Sequence, residues 1–132
     1  MRVVADSHAV VWYVQGSKRL SERAAQVLGD AEAEQALVVS VATFIDLWYV
    51  SQTTEAISSE QLAALKERLV SSEAVTVEPV TVDVADATMN IPRTALADPW
   101  DRLIVATAIA LRLPLVTRDS EIRSSGLIET IL

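Results

Sequence analysis

Residues 98–119 read "DPWDRLIVATAIALRLPLVTRD", and this stretch decides the architecture. Asp98 suits a helix cap, Pro99 the first helical position, and Asp101 the first turn, where the helix dipole favours negative charge. An apolar run carries the helix on, and "LPLVT" (residues 113–117) has the composition of a short buried strand. Asp119 lies two residues beyond it. In open α/β sheets functional side chains gather beyond the carboxyl ends of the strands, so this order of helix, strand and acid is informative.

The alternation repeats outward from this segment. "RVVA" (2–5) reads as a buried strand that stops at Asp6, and Ser7 to Val14 as a helix ending near Gly16. "LSERAAQVLGDAEAEQA" (20–36) is helical, with Ser21 as cap and Ala24, Val27, Leu28 and Ala31 on one face. "ALVVS" (36–40) is a second strand, "VATFIDLWYVSQ" (41–52) a helix, and "SSEQLAALKERLVSS" (58–72) an amphipathic helix with a capping box of Ser58 and Gln61. "AVTVEPV" (74–80) predicts a strand, "DVADATMNI" (83–91) a shorter helix, and "LIETI" (127–131) a last edge strand. The fold class is therefore α/β: a mostly parallel central sheet flanked by helices on both faces. With no repeat, linker or low-complexity segment, residues 1–132 are expected to form one domain.

Composition narrows the chemistry. No apolar run approaches the about 20 residues needed to span a bilayer, and Asp6 and His8 interrupt the N-terminal stretch, so a soluble protein without an export signal is expected. The chain contains no cysteine, which excludes disulfides, thiolate metal sites and thiol nucleophiles and fits a cytoplasmic location. Metal ligands must be oxygen or the lone His8. A net charge of −7 argues against nonspecific coating of nucleic acid, which relies on clustered Lys and Arg. It leaves a nuclease open, because acids gathered in one site are neutralised by a divalent cation.

Four acids stand out. Asp6 and Asp119 follow strands, Asp101 opens a helix aimed at the strand ends, and Asp46 lies within "TFIDLWYV". The expected face of Asp46 is shared with Ala42, Ile45 and Tyr49, with no basic residue within a helical turn or two. A carboxylate in such surroundings is paired, protonated or bound to a metal. Converging carboxylates raise one another's proton affinity unless a cation joins them, and hard Mg²⁺ or Mn²⁺ is the economical occupant. Such a site hydrolyses phosphodiesters without a histidine or serine nucleophile. The competing reading is that an Asp after a strand is simply a helix cap.

The order of these motifs, "VVADSHAVVW", the acid in "VSVATFIDLWYV", "DPWDRLIVATAIALRLPLVT" and then "RD", resembles the PIN domain, in particular the VapC toxins of toxin–antitoxin pairs. The resemblance covers nearly the whole chain. It implies a metal-dependent endoribonuclease using Mg²⁺ or Mn²⁺, a homodimer, and a cognate VapB-type antitoxin whose C-terminal segment lies over the active-site groove. The family's acidic quartet falls on Asp6, Asp46, Asp101 and Asp119, and Asp98 matches an extra acid that caps the helix, supports the metal, or both. One departure is that the family's second acid is most often Glu, whereas Asp46 is one methylene shorter.

Ser7 and Thr117 are supporting candidates, able to hydrogen-bond a carboxylate or a metal water, with the start of the first helix as the alternative role for Ser7. Arg102 and Arg118 flank acids and are candidates for RNA phosphates, or for pairing with those same acids. His8 reads as a surface or capping residue, and Trp12, Trp48 and Trp100 as core or dimer interface in preference to base-stacking platforms. Two rival functions remain. A receiver-type signalling domain needs a Lys after a late strand, but the only lysines are Lys18 and Lys66. A catalytically silent PIN-like binding module is favoured only by Asp46.

Overall fold

Val3, Val4 and Ala5 are all inaccessible to solvent, and a strand buried on both sides requires cover on both faces of its sheet. The computed structural model describes residues 1–132 and supplies that cover. In chain order the elements are β1 (Val3–Ala5), α1 (Ser7–Gln15), α2 (Glu22–Ala33), β2 (Leu37–Ser40), α3 (Ala42–Thr53) and α4 (Ser59–Ser71). There follow β3 (Val75–Glu78), α5 (Val82–Asn90), α6 (Pro99–Leu111), β4 (Leu115–Val116), α7 (Ser120–Ser124) and β5 (Thr130–Ile131).

The five strands form one sheet in the order β3-β2-β1-β4-β5, and every pairing is parallel. The sheet expected to be mostly parallel is thus wholly so, with β5 at one edge. Side chains alternate between two cores. Val3, Ala5, Leu37, Val39 and Val116 pack with Val10, Leu28, Leu47 and Leu65 on one face, where α1 to α4 lie. Val4, Val38 and Leu115 pack with Val84, Ile104, Val105 and Ile122 on the other, under α5, α6 and α7. A one-residue slip of β1 would exchange its partners on both faces, so burial fixes the register.

Local chemistry sets the ends of the helices. Gly16 stops α1 at φ +63°, a conformation that costs glycine little. Ser58 and Gln61 form the capping box of α4. Asp98 caps α6 with Pro99 in its first turn. Two features differ from expectation: the short α7 after Asp119, and strands of only two residues within "LPLVT" and "LIETI".

The topology positions the site. The chain builds outward from β1 to β3, then returns to lay β4 on the other side of β1. The carboxyl ends of β1 and β4 therefore flank the point where the strand order reverses, where α/β sheets open a crevice.

Candidate active site

Asp6 leaves β1 at this crevice and caps α1, accepting the Ala9 N–H on Oδ1 at 2.8 Å. Its Oδ2 accepts the hydroxyl of Thr117, which follows β4. Thr117 Oγ1 also accepts the backbone N–H of Asp119 at 3.1 Å. Asp119 caps α7 through Oδ1, on the Ile122 N–H at 3.0 Å, and Asp98 caps α6 through Oδ1, on the N–H groups of Trp100 and Asp101 at 2.9 and 3.0 Å. The capping role and the place at the crevice are thus compatible, because each cap of α6 and α7 engages one carboxylate oxygen and leaves the other.

Asp46 reaches the crevice from α3, where Ser7 donates its hydroxyl to Oδ2 at 2.6 Å. The surroundings expected for Asp46 need correction: Ala42 is buried, but Ile45 and Tyr49 lie on the surface. The partner it lacked along its own helix comes from α1. Asp101, in the first turn of α6, accepts no hydrogen bond from any protein donor, and the charges that act on it are those of the other four acids.

The five carboxylates line one open cleft of about 580 Å³ together with Ser7, His8, Trp12, Arg19 and Arg118. Removal from water, opposed by the Thr117 and Ala9 hydrogen bonds and the charge of His8, raises the proton affinity of Asp6. Burial likewise raises that of Asp46, against the Ser7 hydrogen bond. Asp101 has no such relief: burial first, then Asp98, Asp119, Asp46 and Asp6 in turn, push it up to about 7. This is the electrostatic condition in which a cation is favoured.

The donor set suits a hard divalent ion. Both oxygens of Asp101, Oδ1 of Asp46, and Oδ2 of Asp98 and Asp119 have no hydrogen-bond donor. No three acidic or histidine side chains stand close enough to enclose an ion unaided. Mg²⁺ does not need such a cage, since it keeps several waters and takes one or two carboxylates plus substrate phosphate.

Other candidates are placed variously. Arg118 lies at the rim, its guanidinium 5.9 Å from the Trp12 ring centroid and its Nη1 donating to the Arg19 carbonyl at 2.7 Å. The phosphate role expected of Arg102 is corrected. Its Nη1 donates to the Leu96 carbonyl at 2.8 Å and its Nη2 to those of Thr88 and Ile91 at 2.9 and 2.7 Å, so it ties α5 to α6 away from the cleft. Trp12 lines the cleft, Trp100 stacks on Tyr49 at 5.7 Å, and Trp48 is half exposed, so Trp48 does not belong to the core of this chain. Sequence reasoning missed Arg19. Its only signal was a basic "KR" pair in the turn between two capped helices, which carries no direction without the fold.

The sequence model of the PIN domain matches residues 3–126. Ribonuclease VapC22 of Mycobacterium tuberculosis is 32% identical over 122 residues, spanning 92% of this chain and 90% of that protein. Among solved structures, the chain resembles VapBC2 from Rickettsia felis bound to a promoter DNA fragment (TM-score 0.70, 17% identity, 99% and 98% of the two chains). It also resembles DNA-bound VapBC from Salmonella typhimurium (0.70, 19%, 99% and 97%) and a toxin–antitoxin complex from Klebsiella pneumoniae (0.66, 16%, 98% and 96%). At these identities the structures speak for the fold alone, whereas the sequence match carries the family. The chain belongs to the PIN-domain family, in its VapC ribonuclease branch.

Proposed function

We propose that this chain is a Mg²⁺- or Mn²⁺-dependent endoribonuclease that hydrolyses RNA phosphodiester bonds as the toxin of a toxin–antitoxin pair. The observation that carries the reading is the convergence of Asp6, Asp46, Asp98, Asp101 and Asp119 on one cleft, with Asp101 unpaired and burdened by the charges of the other four. Asp6, Asp98, Asp101 and Asp119 would hold the ion, with the free Oδ1 of Asp46 turned to the ion or to one of its waters. When bound, the ion supplies activation of a water and neutralisation of phosphate charge. Asp6, fixed by Ala9 and Thr117, orders the deepest part of the site, while Ser7 orients Asp46. Arg118 and Arg19 at the rim meet the anionic strand.

The similarity to a protein named as a ribonuclease supports RNA as substrate, and membership of the VapC branch supports a VapB-type antitoxin as inhibitor. We extend the proposal to a homodimer acting in the cytoplasm; no helix is long and apolar enough to cross a membrane. The test is incubation of antitoxin-free protein with a pool of small RNAs in Mg²⁺ or Mn²⁺, against EDTA and Asp6→Asn. Asn also caps helices, so that variant keeps its α1 terminus. Discrete fragments that vanish in both controls are expected. Intact RNA in the presence of metal and folded protein would instead favour a catalytically silent binding module.

A further inference from the structure

Beside the acidic cleft lies a second depression of about 240 Å³ with the opposite charge. Lys18, Arg19 and Arg118 surround it, Leu20, Ala24 and Val116 give it an apolar floor, and Thr117 forms part of its wall. Arg19, Thr117 and Arg118 also border the acidic site or bond to it, so the two depressions share a wall. The cations come from opposite ends of the sequence: the hydrogen bond from Arg118 to the Arg19 carbonyl joins the turn before α2 to the end of β4.

None of these three cations is held in an ion pair. In a chain of net charge −7, the ion pairs are those of the N-terminus with Glu34 and of Arg68 with Glu32, and none involves Lys18, Arg19 or Arg118. Three exposed cations held beside five carboxylates yet paired with none are arranged for an anion from outside. A nucleic acid strand laid across the acidic cleft carries its next phosphate past that shared wall.

We propose that Lys18, Arg19 and Arg118 form a phosphate subsite that grips the RNA backbone beside the scissile linkage. The subsite gives the enzyme a strand-length requirement: a linkage flanked by a further phosphate on this side is bound, and one lacking it is bound poorly. This inference rests on the ribonuclease reading of the adjacent cleft.

The test measures binding of a dye-labelled single-stranded RNA of twelve nucleotides in EDTA, across a salt series, for the full chain and for Lys18→Gln, Arg19→Gln and the double variant. Both side chains are exposed, and Arg118 bonds to the backbone of Arg19, so these substitutions spare the fold. Each single change is expected to weaken binding roughly three- to tenfold and to lower the slope of log affinity against log salt by about 0.7. Unchanged affinity and slope in the double variant, with the parent chain binding and cleaving RNA, would overturn the subsite and leave the nuclease reading standing. A parent chain that neither binds nor cleaves RNA would remove both. Loss of binding to an acidic protein partner with RNA binding intact would assign the depression to that partner and overturn the proposal.

Discussion

Thr117 donates its hydroxyl to Asp6 and accepts the Asp119 N–H on the same oxygen, so one buried side chain ties the acid after β1 to the acid after β4. The two strands are neighbours at the reversal of strand order, and this side chain couples their ends. Replacing Thr117 by the isosteric Val leaves the buried Asp6 carboxylate with the Ala9 N–H as its one donor and Oδ2 with none. Stability is expected to fall by about 1–3 kcal/mol, roughly 3–10 °C in Tm. The hydroxyl also lowers the proton affinity of Asp6, so its loss moves the acid limb of the pH–rate profile to higher pH. Thermal melts and a pH series check both; an unchanged acid limb would separate Asp6 from the chemistry.

Asp101→Asn is expected to abolish cleavage while stabilising the metal-free protein at neutral and alkaline pH. Folding raises the Asp101 pKa from about 3.9, its ordinary value, to about 7. Between these values the folded chain holds a proton that the unfolded chain releases, so the contribution is full below about 4 and is lost as pH rises through about 7. Three units would amount to about 4 kcal/mol, but Asp101 faces an open cleft, and screening by solvent reduces this to about 1–2 kcal/mol. Urea melts in EDTA at pH 5 and pH 8 test the sign. The variant should gain on the parent between the two pH values, and a variant less stable at pH 8 would contradict the repulsive cluster.

Asp46 is held at the site by Ser7 and retains one free oxygen, yet is shorter than the Glu usual in the family. Asp46→Glu is expected to preserve or raise cleavage, and Ser7→Ala to lower it by freeing the carboxylate and raising its proton affinity. Initial rates on one RNA under saturating Mg²⁺ provide the comparison. A parent chain inactive both before and after Asp46→Glu would point to a binding module.

The surface carries large apolar side chains that this chain leaves unburied, among them Ile45, Trp48 and Tyr49 on α3 and Val82 and Met89 on α5. Exposed apolar groups gathered on a helix face are commonly covered by association. Light scattering is expected to give twice the 14.3 kDa of one chain at micromolar concentration. A mass of 14.3 kDa across the concentration range would refute the dimer.

The fold and the places of Asp6 and Asp119 were legible because both depend on strand ends, which apolar runs reveal, whereas Asp46 in the middle of α3 was singled out by an apolar face that Ile45 and Tyr49 do not form. Contacts across the fold were not legible. The partner of Asp46 lies 39 residues away on α1, and Arg118 meets Arg19 across 99 residues, both brought together by a sheet order that local pattern does not specify. Strand length was overestimated at "LPLVT" because pairing, not composition, ends β4: only Leu115 and Val116 find partners on β1 and β5. Helix α7 was missed because its five residues are too few to display a period.

Arg102 shows the same limit most sharply, since its place beside Asp101 in sequence suggested a phosphate ligand. On a helix, adjacent residues point in directions about 100° apart, so one faces the cleft when the other faces α5. The guanidinium satisfies three carbonyls at the end of α5 and in the segment leading to α6, those of Thr88, Ile91 and Leu96, and its planar fork matches them as a lysine cannot. Arg102→Ala is therefore expected to lower stability by about 1.5–3 kcal/mol, with Arg102→Lys recovering only part of it. Neither change should alter the salt slope of RNA binding, because the Arg102 guanidinium is engaged by carbonyls away from the cleft. A full-strength Tm with a shallower salt slope would reverse the assignment, making Arg102 a strand-binding cation and its carbonyl contacts dispensable.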